Sequence, residues 1–218
     1  MNAWDQVPTP VGNCRWAFPE EFAPDDLVAI GADLEPSTIL AGYRHGLFPM
    51  PVGDDDAIGW LSPDPRGVFE LDALVISRSL RRSCRHMHCT LNERFDDVIV
   101  QCASLPRKGA WIMPDFIDAY KQLNRLGWAH SIETWNDEGV LVGGLYGVRI
   151  GRFFAGESMF HLATDASKVA LVHLVNLMRS SGMVLLDVQW LTPHLASLGA
   201  TEIPRSEYLT RLASALAL

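Results

Sequence analysis

At 218 residues, with 48% hydrophobic and 20% charged residues, the chain suits one large domain, or one domain with a small extra lobe, and excludes a disordered polymer. Its 18 basic and 26 acidic residues leave a net charge of −8, which argues against a general nucleic-acid binder that coats phosphates with a broad basic surface. An anionic partner would have to be met by a local patch. No run approaches the roughly 20 apolar residues of a membrane-spanning helix, and Met1-Asn2-Ala3-Trp4-Asp5 lacks the order of a secretory signal, so a cytoplasmic protein with reduced thiols is expected.

Up to about Asp64 the chain is rich in Pro and Gly and weakly periodic, and reads as a small, loop-heavy lobe, residues 1–64, ahead of a larger domain, residues 65–218. Inside the lobe, Ser37 to Arg44 predicts one short helix with Ser37 as cap and an end near Gly46. Ser62-Pro63-Asp64-Pro65-Arg66 is the boundary turn. Beyond it, strands are predicted at Val68 to Leu71, Ala129 to Trp135, Val140 to Val148, Arg152 to Ala155 and Met183 to Val188. Helices interleave at Asn92 to Ala103, Pro114 to Leu126, Asp165 to Ser180, Pro193 to Leu198 and Ser206 to Leu216. Asp137-Glu138-Gly139 joins two of the strands as a hairpin, so the fold class is α/β (α+β) with a mixed sheet. The helix from Asp165 is apolar nearly all round, which places it in the core, and the apolar strand after it ends in Asp187.

Asp187 and Gln189 are two apart, so on an extended segment both point to one side and can cooperate. Alternatively, Asp187 only accepts backbone hydrogen bonds where the chain turns into the helix capped by Thr192. Glu157 follows the apolar Phe153-Phe154-Ala155, where a lone carboxylate is costly unless it faces a polar cleft or pairs with Arg66, Arg149 or Lys168. Arg78, Arg81, Arg82 and Arg85 share one face of a helix begun at Ser77, in a stretch without acidic residues between Asp72 and Glu93. That face is either a phosphate-binding patch or an ordinary solvated surface. Cys84, His86, His88 and Cys89 are too crowded to close a tetrahedron, so no metal site is expected.

These strings join into a resemblance that spans nearly the whole chain. Phe48-Pro49, Ser62 to Arg66, Ile76 to Leu80, Trp111-Ile112, Ala129-His130-Ser131-Ile132-Glu133, Val142 to Gly147, Gly156-Glu157-Ser158-Met159-Phe160, Ala166-Ser167-Lys168 and Ala196 to Ala200 occur in the order seen in the bacterial leucyl/phenylalanyl-tRNA-protein transferases. The resemblance implies a GNAT-like (acetyltransferase-like) mixed sheet with flanking helices behind the small N-terminal lobe. It implies leucyl-tRNA or phenylalanyl-tRNA, and sometimes methionyl-tRNA, as donor, and proteins beginning with Arg or Lys as acceptors, marked for the bacterial N-degron pathway. By resemblance Asp187 and Gln189 are catalytic, and Glu157 lies near the acceptor. The donor side chain enters a pocket of Trp111, Leu145, Phe154, Met159, Leu174 and Leu186, with Met50 beside it, and Arg78, Arg81, Arg82 and Arg85 meet the tRNA acceptor end. Departures from the family pattern are Met50 where Trp is usual, Ala32 where Gly is usual, and His161 where Ser is usual.

An aminoacyl ester is already an activated acyl donor, so no cofactor is implied, and a monomer is expected. Gln189 would accept a hydrogen bond from the attacking amine while its amide nitrogen donates to Asp187. A CoA-dependent acetyltransferase is a different reading that the fold allows, but Leu162-Ala163-Thr164 lacks the glycine-rich loop that cradles a pyrophosphate. A non-catalytic RNA-binding module is a third, resting on the arginine face alone.

Overall fold

The computed structural model describes residue 4, residues 6–104 and residues 112–217. In chain order the elements are β1 (Leu27–Ile30), α1 (Pro36–Arg44), β2 (Phe48–Val52), β3 (Ala57–Leu61), β4 (Arg66–Phe69), α2 (Arg78–His86), β5 (His88–Leu91), α3 (Phe95–Ser104), α4 (Pro114–Arg125), β6 (Ala129–Trp135), β7 (Leu141–Ile150), β8 (Phe153–His161), α5 (Ala166–Ser180), β9 (Leu185–Gln189), α6 (Pro193–Ser197), β10 (Ala200–Ile203) and α7 (Arg205–Leu216).

The N-terminal segment is less loop-like than its sequence predicts. It carries a three-stranded antiparallel sheet in the order β1-β3-β2 beside α1. The strand Phe48-Pro49-Met50-Pro51-Val52 is disguised by two prolines, which an edge strand tolerates because it need not donate on its open side. Helix α1 starts one residue earlier than expected, at Pro36. Glu35 precedes it without a side-chain cap, so Ser37 is not the cap.

The second sheet has seven strands in the order β10-β4-β9-β8-β7-β6-β5, and every pairing is antiparallel except β8 with β9. This is the mixed sheet with flanking helices that the interleaved pattern predicts. The short strands β5 and β10 were not legible, since each is four residues long and sits at an outer edge. Strand β8 runs on to His161 instead of ending at Ala155. On one face the sheet packs against α1, α3, α4 and α7 through Tyr43, Val98, Tyr120, Tyr146 and Tyr208. On the other it packs against α5 and α2 through Val169, Leu174, Leu145, Phe154 and Leu80.

Two local devices hold this arrangement. Gly143 faces the start of α5, where an added Cβ would lie 2.5 Å from the Ala166 side chain, so its absence lets the helix descend onto the sheet. The buried Glu133 accepts from Thr90 (2.6 Å), from the Ser131 hydroxyl and from the backbone N–H groups of Glu93 and Arg94 (3.4 and 3.3 Å) just ahead of α3. The His130 to Glu133 string thus ties α3 to β6.

Ala32 has φ +67°, a left-handed backbone that suits Gly. Replacing Ala32 by Gly is expected to stabilise the fold by on the order of 0.5–1 kcal/mol, read as a higher urea midpoint with an unchanged slope.

Candidate active site

The parallel pair β8–β9 holds register for three residues only, Phe153 with Leu185, Phe154 with Leu186 and Ala155 with Asp187. Just beyond, both strands carry one residue too many. Tyr146 pairs with Ser158 and Gly147 with Gly156, which leaves Glu157 as the extra residue of β8. Gly67 pairs with Gln189 and Val68 with Asp187, which leaves Val188 as the extra residue of β9. Bulges break the ladder and re-aim side chains. Here they coincide with the splitting of the two strands, and a cavity of about 490 Å³ opens in the gap.

Its walls are mostly apolar. Phe48 and Met50 come from β2, Leu145 and Tyr146 from β7, Met159 from β8, Leu171 and Leu174 from α5, Leu186 and Val188 from β9, and Leu195 from α6. Of the residues proposed for a donor pocket, Met50, Leu145, Met159, Leu174 and Leu186 therefore share one cavity. Phe154 does not line it. Its ring is fully buried on the same face of the sheet and stacks on Trp4 with centroids 5.8 Å apart. Trp111 lies outside the described residues.

The polar end of the cavity is formed by Glu157 and Gln189. Gln189 has φ +57°, a strained backbone for a non-glycine residue at the end of a strand, and Gly67 opposite leaves room for the turn. Its amide nitrogen donates to Glu157 Oε1 at 3.2 Å, and not to Asp187 as the spacing suggested. Tyr120 donates to Glu157 Oε2 at 3.1 Å, and the Tyr43 hydroxyl lies 2.6 Å from that of Tyr120. Burial pushes the Glu157 carboxyl up to about 7, against the hydrogen bonds from Tyr43 and Tyr120 that favour its charged form. Burial also raises the pKa values of Tyr43 and Tyr120, so both stay protonated donors.

Asp187 lies behind this floor and is fully buried. Arg66 grips it bidentately, Nε to Oδ1 at 2.8 Å and Nη2 to Oδ2 at 2.6 Å, while Tyr208 donates to Oδ2 at 2.9 Å and the backbone N–H of Gln189 to Oδ1 at 2.9 Å. Those four bonds fill the carboxylate, leaving nothing for the Gln189 side chain. Arg66 is in turn sandwiched by the Tyr208 and Phe48 rings, 4.3 and 5.0 Å from its Cζ, and donates to the Gly46 carbonyl at 3.1 Å. Burial opposes its charge, but Asp187 more than offsets this, and the guanidinium is held more firmly protonated than in water. Sequence reasoning offered Arg66 only as a partner for Glu157, and it missed Tyr43, Tyr120, Tyr208, Trp190 and His194. The first three are hydroxyls far away in sequence that carry no motif of their own.

Arg78, Arg81, Arg82 and Arg85 are exposed on α2, whose start is capped by Ser77 as expected. Among the described residues none of the four has an ion-pair partner, no group of His, Cys, Asp or Glu is arranged to hold a metal, and no helix is long and apolar enough to cross a membrane.

An apolar recess with proton-handling groups at its floor can hold an acyl chain and serve its transfer to a nucleophile, as in an acyltransferase. Comparison narrows the class. The family model for leucyl/phenylalanyl-tRNA protein transferase matches residues 68–213, and that for its N-terminal domain matches residues 32–64. The chain is 49% identical over 197 residues to the leucyl/phenylalanyl-tRNA–protein transferase of Pseudoalteromonas atlantica, covering 88% of this chain and 83% of that one. It is 50% identical over 194 residues to that of Syntrophobacter fumaroxidans, covering 87% and 82%. The chain belongs to the leucyl/phenylalanyl-tRNA–protein transferase family and is an aminoacyltransferase. Among solved structures, a tandem GNAT protein from the clavulanic acid biosynthesis pathway aligns with TM-score 0.37 and 15% identity over 65% of this chain and 51% of that one. The C-terminal domain of a putative lysylphosphatidylglycerol synthetase from Agrobacterium fabrum aligns with TM-score 0.40 and 13% identity over 84% and 60%. Likenesses of this size bear on neither substrate nor mechanism.

Truncating Arg66 to Met strands a buried carboxylate, with an expected cost of about 3–5 kcal/mol in urea unfolding. Adding Asp187→Leu to that variant is expected to recover a large part of the loss, because the uncompensated charge is gone.

Proposed function

We propose that this chain moves leucine or phenylalanine, and also methionine, from its tRNA ester to the α-amine of proteins beginning with Arg or Lys, and so marks them for the bacterial N-degron pathway. It acts in the cytoplasm as a monomer without a cofactor. The observation that carries this reading is the pairing of Gln189 with Glu157 at the floor of an apolar cavity.

The donor side chain occupies the recess between Met50, Leu145, Met159, Leu174 and Leu186. Its ester carbonyl then lies near the polar floor. The task is positioning, which can contribute on the order of 7 kcal/mol when two reactants are held in attack geometry. With its nitrogen bound to Glu157, Gln189 presents Oε1 to the incoming amine and aligns the lone pair on the carbonyl carbon. As the C–N bond forms, a proton leaves the nitrogen for the Glu157 carboxylate. As the C–O bond to the ribose breaks, that proton passes to the departing oxygen. A group with a pKa of about 7 is suited to both transfers. In its charged form Glu157 also attracts the cationic first residue of the acceptor. Asp187, enclosed by Arg66 and Tyr208, is a positioning residue that fixes the Gln189 backbone. The exposed Arg78, Arg81, Arg82 and Arg85 supply charge for the acceptor end of the tRNA.

The test is transfer of labelled leucine from leucyl-tRNA to a peptide beginning with Arg. Gln189→Ala and Glu157→Gln are each expected to lose on the order of 10²-fold in kcat/KM, and undiminished transfer would remove them from these roles. In the parent chain kcat/KM should rise with pH through about 7 as Glu157 ionises, and Glu157→Gln should lack that limb. The α-amine, with a pKa of about 8, gives a second rise that the variant keeps. Folding raises the Glu157 pKa from 4.5 to about 7, so its charge subtracts stability as pH climbs through that window. Glu157→Gln should therefore be at least as stable as the parent at pH 8 by thermal melting.

A further inference from the structure

Charge is unevenly divided along the chain. Of the 18 basic residues only Arg15 and Arg44 precede residue 65, against eleven of the 26 acidic ones, so the remainder is close to neutral with 16 basic and 15 acidic residues. On the N-terminal side, Met50 lines the cavity and the hairpin tip that follows it bears the exposed Asp54, Asp55 and Asp56.

The far rim is built differently. Helix α2 is fastened to the loop after β8 by Ser83, whose hydroxyl donates to Asp165 Oδ2 at 3.2 Å, and Lys168 Nζ donates to Asp165 Oδ1 at 2.9 Å. Both oxygens of Asp165 are thereby engaged. His161, at the exposed end of β8, and Lys168 both act on His194. Burial is the main reason the His194 pKa is lowered, and the charges of Lys168 and His161 lower it further, against Asp165. His194 itself lines the cavity. Helix α2, the loop after β8 and the cavity lining are thus linked through Ser83, Asp165, Lys168 and His194.

We propose that His161, Lys168 and His194 form a phosphate-binding path along which the unpaired 3′ end of the donor RNA runs from the α2 arginines to the cavity. This rests on the aminoacyl-tRNA reading above. A duplex cannot follow its esterified residue into a cavity of about 490 Å³, so the last stretch of donor has to be single-stranded. Each of its nucleotides carries a phosphate charge that needs compensation where water is displaced. Lys168 keeps two of its three ammonium hydrogens for this purpose after serving Asp165, and each imidazole offers an N–H.

The experiment measures binding of an uncharged leucine tRNA, and of the same RNA trimmed to its duplex end, by filter retention at several salt concentrations. The variant is His161→Ser with Lys168→Gln, and an unchanged melting midpoint confirms that it folds. It is expected to bind the full RNA three- to tenfold more weakly, with a salt slope shallower by about 0.7 per lost phosphate contact, and to bind the trimmed RNA as the parent does. By contrast, Arg81→Gln with Arg82→Gln should weaken both RNAs. Parent-like binding of the full RNA, or an equal loss for both RNAs, would overturn the path. If the parent chain bound neither RNA, the donor reading itself would fail and the path with it.

Discussion

A single buried ion pair sets the geometry of everything around the cavity. Arg66 opens β4, Asp187 lies in the neighbouring β9, and the bidentate contact between them fixes both strands where the ladder is interrupted. Neither group would be tolerated alone in this place, because an unpaired charge in a dry interior costs several kcal/mol. Tyr208 from α7 and the Gly46 carbonyl after α1 complete the shell, so one guanidinium joins the N-terminal segment, the sheet and the last helix. Glu157, on the cavity side of this pair, is a carboxylate that burial raises to about 7, so its protonation changes near neutral pH.

The elements that declare themselves in the sequence are those with one unambiguous period or boundary. The hairpin strand Ala129–Trp135 was read to the residue, α5 by its all-round apolar surface, and α2 by its Ser cap and arginine spacing. The N-terminal sheet was hidden because Pro49 and Pro51 argue against a strand until it is known to be an edge. Strand β8 continues past Ala155 through Gly156-Glu157-Ser158, where a bulge interrupts its ladder with β7 without ending the strand.

The candidate site was legible in part, and for a physical reason. Residues on adjacent or alternating positions of one segment, such as Asp187 and Gln189, or Glu157 and Met159, can be grouped by periodicity and resemblance. Contacts across the fold cannot. The Arg66–Asp187 pair spans 121 residues, and that of Tyr43 with Tyr120 spans 77, so nothing local announces either. Phe154 lies away from the cavity lining for a related reason: its apolar character fits a pocket wall and a core equally well, and its ring stacks on Trp4.

The two bulges have a consequence for how such a site tolerates change. Removing one residue from either strand would let that ladder close without a gap, and the sheet would gain hydrogen bonds while the crevice sealed. Single-residue deletions around Glu157 or Val188 thus favour a tidier, inert sheet, whereas substitutions on the surrounding walls alter only the shape of the hollow. The residue counts of β8 between Gly156 and Ser158 and of β9 between Asp187 and Gln189 are therefore a more rigid requirement of this architecture than the identity of most side chains around them.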